Sequence, residues 1–446
     1  MKRPTGKAVS LRRGDRRFDM AVLATSFSGR DPGRRPDVYV QASNVSDIVT
    51  ALRQARDSQL KVSLCSGGHS WAQNHLRDGG LLLDLSRLNA IEIDPKARTA
   101  RVGPGCWSID LDRALRKHGL FFPVAHAPDV GLGGFLLQGG FGWNSRALGL
   151  ACESVVGLDV VLADGSQVHA SAEQNPDLYW AARGAGPGFF GVVTTFHLKL
   201  HQRPKVTAMV MQVFHERWLE DVFTWAHEIG PSVSSSVEFQ LLITPKTLFT
   251  GKSGVEVIAP VMAASWTEAR EATAFLRRGP LRKHASVTTP LLPLSTMRMS
   301  AAAGQTHFPP KMHWCVDNMW TDAPIADLLP GLRKVSDTLP PAPSHALWLN
   351  WQPSRERPDM AFSMEASCYF AAYGEWRRAE GDARYQSWAT ERITEMAHLS
   401  KGIQLADENL ARRPAPFMRE ANRRRLEQIR GDYDPEGRFN SYMTAA

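Results

Sequence analysis

The stretch GLGGFLLQGGFG, residues 131–142, places six glycines in twelve positions. Glycine loses more conformational freedom on folding than any other residue. A cluster this dense persists where the backbone must turn with positive φ or lie close against something else. A tight multi-turn loop would meet that condition. So would a backbone wall against a flat or anionic ligand, whose phosphates exposed N–H groups can bind. A second glycine segment, CSGGHS at 65–70, lies upstream in the same region and favours the wall.

The elements around these segments follow from periodicity and punctuation. Val38 to Gln41 reads as a strand, and Ser43 to Asp47 caps a helix running to about Ser58. Short strands are expected at Lys61–Leu64, Leu81–Leu85, Ala90–Ile93 and Thr99–Val102, then a helix from Ile109 to His118 ended by Gly119. Val155–Leu162 and Gln167–Ala170 flank Asp164-Gly165, a hairpin signal. A short helix from Asn175 to Arg183, the turn Gly184–Gly188 and a strand from Gly191 to Leu200 close the region. That turn resembles a nucleotide-binding glycine motif but follows a helix and precedes a strand, the reverse of the dinucleotide order, so NAD binding is not expected.

Beyond Pro204 the texture changes. Ser236–Ile243, Val255–Val261, Lys311–Met319, His345–Gln352 and Ala361–Phe370 alternate with period two, as strands with one buried face do. Helical stretches at Trp266–Leu276 and Ile325–Thr338 lie between them, and Gly374–His398 reads as one helix or a broken pair. Residues 1–34 are Arg- and Gly-rich without periodicity and read as an arm or covering segment.

Composition narrows the function classes. The chain has 446 residues, which suggests two or three domains at roughly 150 residues each. With 43% hydrophobic and 22% charged residues, bulk disorder is excluded. The net charge of +8 hints at anionic partners, but no basic stripe is interleaved with aromatics. The run Asn422–Arg425 reads as a solvated helix face, and no nucleic-acid partner is expected. The five cysteines include no Cys-x-x-Cys pair, which argues against a disulfide framework and a structural zinc site. His197 and His201 have a metal-like spacing, yet on a strand they lie roughly 13 Å apart at about 3.3 Å per residue, so no metal is expected there. The first twenty residues are basic without an apolar stretch, and no run of 18 apolar residues occurs. The expectation is a cytoplasmic protein without a membrane partner.

The motifs CSGGHSW (65–71), GPGCW (103–107), VGLGGFLLQGGFGWNSRALGL (130–150), DVVLADGS (159–166), NPDLYWAARGAGPGFFGVVTTFHLKL (175–200) and YDPEGRF (433–439) follow one another in register. Together they resemble the berberine bridge enzyme-like FAD-linked oxidases, which have the vanillyl-alcohol-oxidase (PCMH-type) FAD-binding fold. The resemblance is dense over about 36–204, returns at about 418–442 and is faint between. It implies an α+β molecule: an N-terminal arm at 1–34, a bilobal FAD-binding domain at 35–204, a substrate domain at 205–400 built on an antiparallel sheet with helices on one face, and a segment at 401–446 completing the first domain.

The resemblance also assigns residues. Ser66, Gly67, Gly68, His69, Ser70, Val130, Gly131, Gly133, Gly134, Gln138, Gly139, Gly140, Gly142, Val193 and Asn440 are expected to bind FAD, with His69 joined covalently to the flavin. Relatives often carry a second tether, a cysteine before Pro-x-Val-Gly. Here Ala127 precedes Pro128-Asp129-Val130-Gly131, so a single bond is expected. Cys65, Gln138 and Phe189 depart from the family pattern at positions near the flavin. Val130 matches a position that admits dioxygen in the family, and a small residue there resembles the oxidases more than the dehydrogenases.

On the substrate side, alternation puts Ala361, Ser363, Glu365, Ser367 and Tyr369 on one face, with similar rows at Ser236, Glu238, Gln240 and at Lys311, His313, Cys315, Asp317. In the resembling family such a face roofs the flavin. Glu365 and Tyr369 lead as candidate bases, followed by His313 and Glu238. Trp71 replaces a frequent active-site tyrosine and offers a stacking wall. The thirteen tryptophans suit flat substrates as well as ordinary core. The expected activity is hydride transfer from a C–OH or C–N centre of a small aromatic or natural-product-like substrate to the flavin, reoxidised by dioxygen to hydrogen peroxide. Three alternatives stand: a dehydrogenase using a quinone or protein acceptor, a sugar oxidase, and a binding protein that keeps the fold without turnover.

Overall fold

Asn44 accepts a hydrogen bond from the Asp47 amide at 3.0 Å, so the helix Val45–Asp57 starts where the capping residues foretell. The computed structural model describes residues 8–443. Strands Val9–Arg12, Val38–Gln41, Leu81–Asp84 and Val62–Cys65 form a sheet in that order, its first pair antiparallel and the others parallel. A second, antiparallel sheet runs Ile91–Asp94, Thr99–Val102, Val192–Lys199, Val155–Val161, Gln167–Ser171. The chain returns to the first sheet near its end: Asn440 donates its amide to the Val62 carbonyl, and the Val62 amide donates to Arg438.

Part of the expected arm is core. Leu11, Phe18 and Val22 pack with Tyr39, Cys65, Leu76 and Leu82, so this segment adds an edge strand and a helix (Phe18–Ala24) to the first sheet. Arginine-rich composition hid the few apolar residues that anchor it. Residues 1–7 of that arm lie outside the described residues.

The intervening region builds an eight-stranded sheet. Its main path is Val287–Thr288, Val206–His215, Gly254–Ala263, Phe239–Thr244, His345–Asn350, Cys368–Trp376 and His313–Thr321, with Leu292–Pro293 beside the second strand. One face packs under the helices Leu219–Ile229, Ile325–Thr338 and Trp388–Glu395 through residues such as Leu241, Val257, Phe370 and Trp348. Fully burying a side chain of this size contributes roughly 2–3 kcal/mol. The opposite face, with Trp314, Val316, Trp320, Tyr369 and Tyr373, meets Phe27, Leu150 and Cys152 of the other domain.

Two expectations fail here. Residues 361–367 alternate but form no strand, because the Ala361 and Phe362 amides donate to the Trp180 and Arg183 carbonyls instead of a neighbouring strand. The strand is Cys368–Trp376, buried on both faces and so without alternation, and the helical stretch expected from Gly374 begins only beyond it. The row at 311–317 is also misdirected. Cys315 packs on the helix side, Asp317 is held by Arg413 at 2.6 Å, and Trp314 and Val316 face the other domain.

Buried Arg146 joins the two domains. Its guanidinium donates to the carbonyls of Trp351, Ser234, Val237 and Val233 at 2.7–3.1 Å. Burial lowers its pKa to about 10, which still leaves it charged at neutral pH. Glu238 adds a second tie, accepting from the Asn144 amide at 2.6 Å and pairing with His126 at 2.8 Å. Replacing Arg146 with Met strands the four carbonyls, and the expected cost is about 3 kcal/mol. Denaturant unfolding of the purified variant checks this; an unchanged midpoint would remove the tie from the account.

Candidate active site

The loop Ser66–Ser70 leaves the end of the strand Val62–Cys65 and meets the second glycine segment backbone to backbone. A Cβ added at Gly67 would lie 2.5 Å from the Gly131 amide nitrogen, and one at Gly131 would lie 2.8 Å from Gly67 Cα. No larger residue fits at either position without parting the loops. Between them opens a cleft lined by Ser66, Gly67, Gly68, His69, Ser70, Val130, Gly131, Gly133, Gly134, Gln138, Val193 and Asn440.

The chemistry of the lining suits a dinucleotide. The amides of Gly67, Gly68, His69 and Ser70 donate to no other described residue, and successive free N–H groups of this kind form an anion-binding nest. A Cβ at Gly134 would meet nothing within 4 Å, so it would project into open space in the cleft wall. Asn74 Oδ1, also in the lining, is buried without a hydrogen-bond partner. Residues that sequence reasoning passed over complete the wall, among them His75, Arg77, Leu405 and Ala406. Burial drives the His75 pKa down to about 3, so this imidazole is neutral. None of the four lies in a glycine-rich motif, and no local pattern marks them.

His69 sits in this lining with one ring face and one nitrogen accounted for. Nε2 lies 2.9 Å from Asp129 Oδ1, and the Phe27 ring stacks on the imidazole with centroids 4.0 Å apart. Phe27 is brought there by its amide, which donates to the Gly68 carbonyl at 2.9 Å. Burial is the largest single influence on Asp129 and works against its ionisation, but the hydrogen bond and charge of His69 and a backbone hydrogen bond together hold the carboxyl below its usual range. An ionised Asp129 keeps the imidazole proton on Nε2 and leaves Nδ1 with its lone pair.

Next to His69 a polar cluster gathers on one carboxyl group. Trp71 Nε1 donates to Asp407 Oδ1 at 2.5 Å, and the hydroxyls of Tyr369 and Tyr373 both donate to Oδ2, the latter at 2.7 Å. Asp407 follows directly on the cleft residues Leu405 and Ala406. Burial raises its pKa, and burial with the neighbouring carboxylate raises both phenols well above theirs. Phe27, Trp71, Phe308, Trp314 and Tyr373 form an aromatic wall around the cluster, Trp71 and Trp314 only 4.4 Å apart.

Of the candidate catalytic residues, Tyr369 and Trp71 meet here; Glu365 and His313 do not, and Glu238 is bound to His126 and the Asn144 amide. Glu365 is held by Arg357 through two hydrogen bonds of 2.9 and 3.0 Å and accepts from Trp351 at 2.7 Å, so its oxygens are committed to an ion pair. His313 is bonded to Asp382 at 2.7 Å and belongs to the row that faces away from the cluster. Gly139, Gly140 and Gly142 stand outside the cleft lining. They pack instead against Phe362, against Ala151 and Phe135, and against the Pro123–Val124 backbone. The glycine wall therefore ends at Gln138. All five cysteines are buried and none forms a disulfide.

The cleft between the two glycine loops lies within the part of the chain that similarity assigns to a class, the FAD-dependent oxidoreductases. The family model for an FAD binding domain matches residues 36–171. The FAD-linked oxidoreductase nodO of Hypoxylon pulicicidum is 30% identical over 424 residues, covering 94% of this chain and 93% of that one. Among solved structures, 6-hydroxy-D-nicotine oxidase of Arthrobacter nicotinovorans superposes with a TM-score of 0.84 at 23% identity, covering 100% and 99% of the two chains. The BBE-like 1 protein of Physcomitrella patens reaches the same TM-score at 19% identity over 99% and 98%. The chain belongs to the FAD-linked oxidoreductases, and it shares the fold of the BBE-like 1 protein. Among the described residues, no helix is long and apolar enough to cross a membrane.

Filling the opening at Gly134 with Val is expected to leave the fold intact and cut flavin retention severalfold. The ratio of absorbance at 450 nm to that at 280 nm in the purified variant reads this out. A fully yellow variant would place the cofactor elsewhere.

Proposed function

We propose that the protein is an FAD-dependent oxidase, its flavin joined by one bond to His69. Its substrate is a small aromatic or natural-product-like molecule oxidised at a C–OH or C–N centre. The observation that carries the reading is the adjacency of His69, fixed by Asp129 as an Nε2–H tautomer, to the Asp407 carboxyl held by Trp71, Tyr369 and Tyr373. Bound FAD supplies the hydride acceptor. Nδ1 of His69 is the nucleophilic nitrogen for the tether, and with Ala127 in place of a cysteine no second bond is expected.

The chain's own residues handle the proton. As hydride leaves the substrate carbon, the O–H or N–H proton passes to the Asp407 carboxylate, directly or through the Tyr369 hydroxyl. The phenols themselves stay protonated at neutral pH because burial raises their pKa. The two electrons and two protons taken from the substrate leave on dioxygen as hydrogen peroxide. Val130, small and apolar in the cleft lining, supports dioxygen over a quinone as acceptor. The aromatic wall supports a flat substrate over a sugar, in keeping with the hydroxynicotine named for one structural relative.

Acid precipitation followed by intact mass tests the tether. Yellow colour should stay with the pellet and the chain should carry one FAD, both lost in His69→Ala; a colourless pellet from the wild type would refute it. Asp407→Asn tests the base. Its kcat should fall roughly 10²- to 10³-fold with flavin content unchanged. In the wild type, activity should decline as pH falls through the pKa of Asp407, which burial raises, because only the ionised form accepts a proton. The variant should lack that acid limb. An unaltered rate and pH profile would exclude Asp407 as the acceptor.

A further inference from the structure

The second sheet carries a cluster that has no part in the flavin chemistry. The register sets Asp159 directly opposite His169 on one neighbouring strand. On the other neighbour, His197 stands opposite Gly157, two residues from Asp159. The register shifts between Val193 and Thr195, and an extra residue there turns the strand over. Val193 thus faces the flavin cleft while Thr195 and His197 look out on the other side with Asp159. His201, the partner that sequence spacing suggested, bonds to Ser154 at 2.9 Å and is not part of this group.

The three side chains converge as metal ligands do. His169 Nδ1 lies 2.8 Å from Asp159 Oδ1, and His197 Nε2 lies 3.0 Å from Oδ2. One ligand atom from each falls within 4.8 Å of the other two. Gly157 makes the room: a Cβ there would lie 3.0 Å from His169 Cε1, so a larger residue would push that ring away by a few tenths of an ångström. The two imidazoles stand perpendicular, their centroids 5.1 Å apart. Zinc holds imidazole nitrogen and carboxylate oxygen at about 2.0–2.2 Å, which in tetrahedral geometry separates ligands by roughly 3.3 Å. The two carboxylate–imidazole separations need to open by only a few tenths of an ångström, and the two imidazole nitrogens, within 4.8 Å of each other, need to settle at the same spacing. The three side chains are 26–38% exposed, so an ion can reach the site.

We propose that Asp159, His169 and His197 bind one divalent first-row transition ion of the Zn²⁺ type, with water in the remaining position. Imidazole with a single carboxylate suits zinc or copper better than magnesium or calcium. On binding, the histidine protons move to the other ring nitrogens, His169 Nε2 and His197 Nδ1. Arg101 lies 3.9 Å from Asp159 Oδ2 but also 3.6 Å from Glu92, and it is more than half exposed, so it can withdraw to Glu92. The ion would tie three adjacent strands together on the face opposite the flavin, stabilising the folded holoenzyme in proportion to its free concentration.

Isothermal titration of untagged holoenzyme with ZnCl₂ tests the site. The expected result is one saturable equivalent, weakened at least tenfold in His169→Ala and again in His197→Ala, and unchanged in His201→Ala. Retained flavin absorbance shows that each variant is folded. If an alanine variant is not recovered as yellow protein, the glutamine substitution at the same position takes its place. Absence of saturable uptake by the wild type, or full uptake by either histidine variant, would overturn the proposal.

Discussion

The contact of Gly67 with Gly131, backbone against backbone, is the constraint on which the cleft depends. Either position with a side chain would force the loops apart, since the space a Cβ needs is already filled by main-chain atoms of the other loop. Closeness here does two things at once. It turns a run of unpaired amides toward one cavity, and it sets His69 beside Asp129 from the opposite loop. Gly68 extends the arrangement: its carbonyl accepts the Phe27 amide, and the segment that begins as an unpromising arginine-rich stretch delivers the ring that stacks on the histidine.

The substrate sheet depends on that cleft in turn. Its helix-covered face is an ordinary apolar core. The other face is aromatic and polar because it meets the flavin domain, and Arg146 and Glu238 hold the two in register. Asp407 comes from a short segment that runs between the domains, with Asn318 donating to its carbonyl at 2.8 Å. Three donors converge on one carboxyl, yet burial outweighs them and raises its pKa. Such a group is costly to place and well suited to receiving a proton.

Much of the flavin domain could be read directly. Strands such as Val38–Gln41 and Thr99–Val102 occur where alternation and turn residues put them, because each is short and bounded by strong punctuation. The glycine segments identified the cleft for the same reason: glycine leaves a chemical signature where backbone must approach backbone. The site's acid did not show. Asp407 belongs to no motif, and only tertiary packing joins it to Trp71, Tyr369 and Tyr373. Glu365 misled because alternation reports the side of a strand, and its segment is not a strand but a link pinned by Trp180 and Arg183 carbonyls. Spacing along the chain excludes His201 as a partner of His197 but says nothing of Asp159 and His169, its neighbours across the sheet. The glycines beyond Gln138 serve packing against Phe362 and the Pro123 backbone, a use that composition cannot tell from ligand binding.

The most direct test of the account is a diffraction map of the purified yellow protein. The account requires the diphosphate of FAD to lie against the Gly67–Ser70 amides, with continuous density from His69 Nδ1 to the isoalloxazine and the ring's reactive edge toward Asp407. Density for the dinucleotide on any other surface, or a cleft between the two glycine segments filled only by water, would contradict it.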